Sequence, residues 1–190
     1  MSAALQALPG FPLLATPRLR LRAASADDAP ALFRLFSDPR VLRHWPRVAM
    51  VDRAEADARV AEDAERFRCR EMIAWVVARR RDDIAVGTCS LHGFARDRAL
   101  VGYALHPDAQ GHGLAREAVA RVLGFAFDAL RLARVEAEVA AGNARSAALL
   151  ARLGFAEAGP AADGMMCRWW LAAPGRAQGA AAERFGASSE

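Results

Sequence analysis

The sequence predicts an α/β (α+β) domain, a mixed and mostly antiparallel central sheet with helices on both faces. Two patterns carry this: short alternating or continuous apolar runs bounded by turn residues, and longer runs with apolar residues at helical spacing. Length adds a third observation, because 190 residues suit one compact domain with its own core rather than two.

In chain order, residues 1–13 read as an irregular arm. The alternation Arg18-Leu19-Arg20-Leu21-Arg22 signals a half-buried strand. Ser25 to Asp28 supply helix-starting side chains, and Pro30 fits only a first turn, so a helix begins close to Asp28. Leu32, Phe33 and Phe36 share its face, and Asp38-Pro39 stops it. From Asp52 to Arg68, alternating arginine and carboxylate residues predict a solvent-facing helix. Glu71–Arg80, Ile84–Leu91 and Ala99–Leu105 follow as strands joined by short turns, an antiparallel meander. Leu114 to Leu130 is a helix with Ala115, Val119, Val122 and Ala126 on one face. Arg134–Ala140 is a strand, Asn143–Leu153 a helix closed by Gly154, and Phe155–Ala158 and Met165–Leu171 are the last strands. Residues 172–190, rich in Ala and Gly, read as a flexible tail.

Composition narrows the functional classes. Hydrophobic residues make up 54% and charged residues 25%, which describes a globular chain. No apolar run reaches the roughly 20 residues of a membrane-spanning helix, and the N-terminus lacks the basic region of a signal peptide. Cys69, Cys89 and Cys167 are odd in number and have no metal-ligand spacing, so neither a disulfide framework nor a metal site is expected. The cytoplasm is the default compartment. The net charge is +4, and all 26 basic residues are arginine. Without a long basic run or interleaved aromatics, no direct nucleic-acid role is expected. Electrostatic attraction of an anionic cofactor or partner stays open. A homodimer is compatible with the sequence and not required by it.

The segment with the most specific chemistry is Gln110-Gly111-His112-Gly113-Leu114-Ala115, between a strand and a helix. A helix N-terminus leaves its first N–H groups unpaired and carries a positive dipole end. Glycine allows close approach, so these backbone donors suit a diphosphate. Many strand–turn–helix joints with two glycines bind nothing, so the turn alone decides little.

Its neighbours add to it. Val101-Gly102-Tyr103-Ala104-Leu105-His106-Pro107 with the Gln-x-x-Gly-x-Ala turn resembles the acetyl-CoA signature of the GNAT superfamily of N-acetyltransferases. Thr16-Pro17-Arg18-Leu19-Arg20-Leu21-Arg22, Ser37-Asp38-Pro39 and His44-Trp45-Pro46 resemble the N-terminal part of its ribosomal-protein N-terminal acetyltransferase (Rim-type) branch. Asn143-Ala144-Arg145-Ser146 with Leu153-Gly154-Phe155 is similar to the second cofactor motif. The resemblance runs from about residue 14 to 171.

The resemblance implies a GNAT-like domain over 14–171 that uses acetyl-CoA and no metal. Gln110, Gly111, His112, Gly113, Leu114 and Ala115 would bind the diphosphate. The strand ending at Leu105, Tyr103 included, would carry a bulge, splay from the next strand and pair with the pantetheine amides. Leu105 N–H would polarise the thioester carbonyl, and Asn143 would contact the pantetheine arm. His44, with Trp45 beside it, is read as bordering the acceptor pocket, against ordinary packing of an amphipathic ring. Many members protonate the departing sulfur with a tyrosine seven residues after the motif asparagine; here that residue is Leu150, and the single tyrosine is Tyr103. Ser146 stands where the Rim-type branch has a serine near the sulfur, and is equally readable as a first-turn residue below an Asn143 cap.

No base stands out. Glu136 and Glu138 read as ion-pair partners of arginines such as Arg134. His92 and His106 read as structural. The expected activity is acetyl transfer to a primary amine, either a protein N-terminus, ribosomal in origin where the branch resemblance holds, or a small amine. Two alternatives stand beside it. One is a non-catalytic acyl-CoA-binding regulatory module; the other, a nucleotide-phosphate site, is disfavoured by the missing lysine.

Overall fold

A computed structural model describes residues 3–45, 48–161 and 164–175. Its strands are β1 (Leu14–Ala15), β2 (Leu19–Arg22), β3 (Met72–Arg79), β4 (Ala85–Ala95), β5 (Arg98–Leu105), β6 (Arg134–Ala140), β7 (Ala156–Pro160) and β8 (Met166–Ala172). They form one sheet in the order β1-β2-β3-β4-β5-β6-β8-β7, antiparallel throughout except for β5 beside β6. The helices are α1 (Ala3–Gln6), α2 (Ala29–Ser37), α3 (Pro39–Leu42), α4 (Arg53–Arg68), α5 (Leu114–Asp128) and α6 (Ala144–Arg152). None among the described residues is long and apolar enough to cross a membrane.

The sheet is covered on both faces, which explains why β3 reads as a continuous apolar run rather than an alternating one. Ile73, Trp75 and Val77 face α5, joining Val119, Val122 and Ala126 in the larger core. Trp75 meets Phe125 edge-on at 5.8 Å, and its indole N–H donates to the Pro12 carbonyl at 2.7 Å. Val76 and Ala78 face the other way, onto Leu32 and Phe36 of α2 and Ala56 of α4.

Polar anchors tie α2 to the sheet. Asp28 is only 4% exposed. Its carboxylate accepts from Arg22 Nη1 at 2.7 Å, Arg22 Nη2 at 3.0 Å, and the Ser25 backbone N–H at 2.8 Å. Burial alone would raise its pKa; the Arg22 and Ser25 bonds outweigh that and hold it below the usual carboxylate range.

The structure refines three expectations. Within residues 3–13 the arm is irregular after the short α1, but it is anchored: Leu5 is fully buried, with Leu8 and Phe11 packed against the core. β1 adds a short edge strand to β2. Asp38-Pro39 does stop α2, but it also starts α3, because Asp38 accepts from the Arg40 N–H at 2.8 Å and Pro39 tolerates a first helical position. The α4 helix is less solvent-facing than its charge pattern suggests, since it buries Ala56 and the Asp63 carboxylate paired to Arg59 at 2.7 Å. Pro46 and residues 176–190 of the expected tail lie outside the described residues.

Gly87 is fixed by contact. A Cβ there would lie 2.2 Å from the Ala104 carbonyl oxygen and 2.5 Å from Leu105 Cδ2, closer than atoms pack. Gly87→Ala is therefore expected to lower stability by about 1–3 kcal/mol, the range of overpacked cores, as read from urea unfolding midpoints.

Candidate functional site

The sheet parts between β5 and β6. Pairing holds for Arg98↔Arg134, Ala99↔Val135 and Leu100↔Glu136, and no further. Each strand stays fully engaged on its other side, β5 with β4 through Leu105 and β6 with β8 through Ala140. The result is a slot beyond Leu100. Its β5 wall follows from the ladder. His106 N–H donates to the Val86 carbonyl at 2.9 Å, which makes Leu105–Gly87 a non-hydrogen-bonded pair. The backbone N–H and C=O of Leu105, and those of Tyr103 two residues earlier, therefore turn away from β4 toward the slot.

The expected splay is present; the expected bulge on this strand is not. β5 keeps regular register with β4 from Leu100 to Leu105. The irregularities belong to β4, where Val86 is an extra residue opposite the Val77–Ala78 step, and where the stretch from His92 to Ala95 is one residue longer than its partner. Backbone groups can thus be freed by separating strands, without a bulge on the strand that carries them.

At the C-terminal end of β5 the chain makes a short turn and enters α5. Gly111 and Gly113 have φ of +84° and +74°, in the left-handed region. Gly113 is the residue before the first helical position, and no side chain caps the helix. The N–H groups of Leu114, Ala115 and Arg116 are consequently without intrahelical partners. A Cβ on Gly111 would meet nothing within 4 Å, so the turn is open on that side.

Glu117 lies in the first turn of α5, where its charge would compete with an incoming anion. It is already occupied. Thr16 Oγ1 donates to it at 2.5 Å, Arg18 Nε at 2.6 Å and the Arg18 backbone N–H at 3.1 Å. Arg18 also donates to the His112 carbonyl at 2.8 Å, so the turn between β1 and β2 fixes this segment from outside. Partial burial pushes the Glu117 pKa up, but these donors prevail and set it below its ordinary value.

Side chains complete the frame. Gln110 donates to the Leu105 carbonyl at 2.8 Å and accepts from Arg145 of α6, spanning the mouth of the slot. Asn143 Oδ1 accepts from the Ser146 N–H at 3.2 Å, so the helix-cap reading of this pair is correct. Ser146 Oγ lies 2.5 Å from the Tyr103 hydroxyl. Leu150 is fully buried in the core.

Beside the turn is an open cavity of about 850 Å³. Its lining includes Arg18, Arg34, Arg79, Arg80 and Arg81, together with His106 and His112, against the single carboxylate of Asp108. Arg18 is paired with Glu117, and Arg79 and Arg81 with Asp82, so the attraction this cavity offers an anion rests mainly on Arg34 and Arg80.

The structure brings Tyr103, Leu105, Gln110 through Ala115, Asn143 and Ser146 to one end of the sheet. His44 and Trp45 do not line the arginine-rich cavity; Trp45 packs edge-on against Phe36 at 5.8 Å. Glu136 pairs with Arg134 at 2.6 Å and Arg98 at 3.2 Å, as its pattern suggests. His106 accepts from the Asp108 N–H, and His92 is half-buried beside Ser90, both structural positions. Among the described residues no group of three His, Cys, Asp or Glu side chains gathers into a metal site. The Thr16–Arg18–Glu117 clasp, the Gln110–Arg145 bridge and the Tyr103–Ser146 pair were not foreseen, because each joins residues at least 35 positions apart.

Comparison with known proteins agrees with this arrangement. The sequence pattern described as "Acetyltransferase (GNAT) domain" matches residues 18–156. The uncharacterised N-acetyltransferase YoaA of Bacillus subtilis (strain 168) is 33% identical over 151 residues, covering 78% of this chain and 85% of that protein. Among solved structures, Mycobacterium smegmatis RimJ in complex with CoA-disulfide superposes with a TM-score of 0.71 at 24% identity, over 82% of each chain. Spermidine N-acetyltransferase from Vibrio cholerae in complex with CoA and spermine gives 0.72 at 20% identity, over 83% of this chain and 96% of that one. These two likenesses establish the fold.

The clasp makes a pH prediction. Because the folded-state pKa of Glu117 is lowered, its contribution is complete above the unfolded carboxylate range near ~4.3 and is lost as pH falls through the lower folded value. Glu117→Gln should cost about 1 kcal/mol at pH 7, Arg18 being half exposed and its charge screened. The difference from wild type should shrink toward pH 3 in paired denaturant titrations.

Proposed function

The chain belongs to the GNAT acetyltransferase family, and from that premise we propose that it moves an acetyl group from acetyl-CoA directly to a primary amine. The observation that supports this most is the uncapped N-terminus of α5 beside the open edge of β5. Together they offer donors for a diphosphate and, on the same side, amide partners for a pantetheine arm. The arginine-rich cavity adds attraction for a polyanion.

In this reading the backbone of Gln110 to Ala115 holds the diphosphate, and the slot-facing groups of Tyr103 pair with the pantetheine amides. Leu105 N–H donates to the thioester carbonyl oxygen as it gains charge. Asn143 borders the arm while capping α6, and Ser146 faces the departing sulfur. CoA supplies the activated acyl group; the protein supplies alignment and directed hydrogen bonds. His44 and Trp45, following α3, flank the approach of the acceptor.

A protein N-terminus is the first acceptor to test, supported by the Rim-type sequence pattern. An α-amine near pKa ~8 loses its proton more readily than a lysine near ~10.4, which suits a site without an obvious base. Polyamines and aminoglycosides form the second panel. Incubation of these amines with acetyl-CoA, followed by thiol release and mass-spectrometric identification, should yield an N-acetylated product. Stabilisation by acetyl-CoA without turnover on any amine would instead favour the regulatory module.

Two substitutions divide binding from chemistry. Gly113→Trp should abolish CoA binding in calorimetry while the protein stays folded, because the indole fills the approach to the α5 donors; unchanged affinity would remove the diphosphate assignment. Ser146→Ala should slow turnover about 100-fold, the lower end of what a positioned proton-transfer group contributes, with CoA affinity nearly unaltered.

A further inference from the structure

The proton donor of the reaction faces a difficulty that the Tyr103–Ser146 pair resolves. If a serine hydroxyl alone protonates a departing thiolate, it is left as an alkoxide, a far stronger base than the thiolate it served. One turn further along α6, Leu150 is sealed in the core and offers no hydroxyl. The chain has a single tyrosine, Tyr103, on the strand across the slot. Tyr103 stands three residues beyond the last β5–β6 pair, and its hydroxyl reaches Ser146 Oγ at 2.5 Å. The backbone of Ser146 is fixed independently, through its N–H to Asn143. The serine oxygen is therefore held from two directions, by β5 and by its own helix cap.

We infer that Tyr103 is the positioning residue for proton delivery: its hydroxyl donates to Ser146 Oγ, so that the serine proton points to the sulfur of the departing thiolate. This rests on the reading that Ser146 faces that sulfur. As the tetrahedral intermediate collapses, the C–S bond breaks and its electron pair passes to sulfur, while the new C–N bond remains. Sulfur takes the Ser146 proton, and the Tyr103 proton replaces it on Oγ. Solvent then returns a proton to the phenolate, equal to the one the amine released. A phenol is a weaker acid than a thiol by about 1.5 units, so the transfer is slightly uphill and is drawn forward as solvent returns a proton to the phenolate; the negative charge rests on the phenol oxygen, and no alkoxide forms. Burial raises the Tyr103 pKa, with the Ser146 bond pulling partly against it, and this keeps the phenol protonated between turnovers.

Because Tyr103 is the single tyrosine, its ionisation can be followed directly in the 295 nm absorbance of the whole protein. Ser146→Ala should move that titration upward, since the bond that favours the phenolate is gone. An unmoved titration would overturn the pairing. The kinetic arm compares Tyr103→Phe, Ser146→Ala and the double variant. It uses the best amine from the acceptor panel or, where none turns over, hydrolysis of acetyl-CoA by water. Tyr103→Phe keeps the ring packing, checked by thermal unfolding. It should lower kcat about 10- to 100-fold with KM for acetyl-CoA within twofold, and the double variant should be no slower than Ser146→Ala alone. A slow Ser146→Ala with a wild-type Tyr103→Phe would overturn this inference alone. An unaltered Ser146→Ala would remove the serine reading beneath it. Multiplying losses in the double variant would also overturn it, by showing that the two hydroxyls act independently.

Discussion

Everything at the active end of this protein depends on β5 and β6 pairing for three residues and then separating. Buried backbone N–H and C=O groups are expensive to leave unpaired, so a sheet does not open in its middle without support. Here the support comes from the outer sides of the two strands, each fully laddered to β4 or β8. Gly87 allows β4 and β5 to approach closely opposite Leu105, where any Cβ would collide with the Ala104 carbonyl. Gln110 takes up the Leu105 carbonyl from below. What remains is an edge of oriented donors and acceptors that suits an amide-bearing chain.

The turn into α5 solves a second electrostatic problem. A helix start with no side-chain cap leaves donors for an anion, yet Glu117 in the same turn would repel one. Thr16 and Arg18 neutralise that carboxylate, and Arg18 also draws in the His112 carbonyl, turning another negative dipole away. The segment just before β2 therefore clamps the turn into α5, more than 90 residues away in sequence. This is a physical reason for the Thr16-Pro17-Arg18 segment and the glycine turn to occur together in one chain.

Much of this was legible in the sequence. The meander, the α5 face and the turn were readable because local periodicity and glycine placement report directly on local structure. The splay was reachable only through family resemblance, since nothing in Val101 to Leu105 states how far pairing with β6 extends. The packing of the arm was not legible because Leu5, Leu8 and Phe11, although three residues apart, are interrupted by Pro9, Gly10 and Pro12; their burial is decided by what the rest of the chain leaves uncovered. The bulge was placed on the wrong strand, because the register of a strand pair is a property of both members and the extra residue, Val86, lies in β4. Tyr103 and Ser146 were each singled out, but no local pattern reveals a bond between residues 43 positions apart.

The central claim is that the parted β5 edge and the uncapped α5 start together receive acetyl-CoA. Residue-resolved hydrogen exchange, with and without acetyl-CoA, tests it most directly because it reads the backbone amides themselves. Bound acetyl-CoA should slow exchange at Tyr103, Leu105, Leu114, Ala115 and Arg116, with little change along β3 or α4. Tight binding with no added protection at these amides would contradict it.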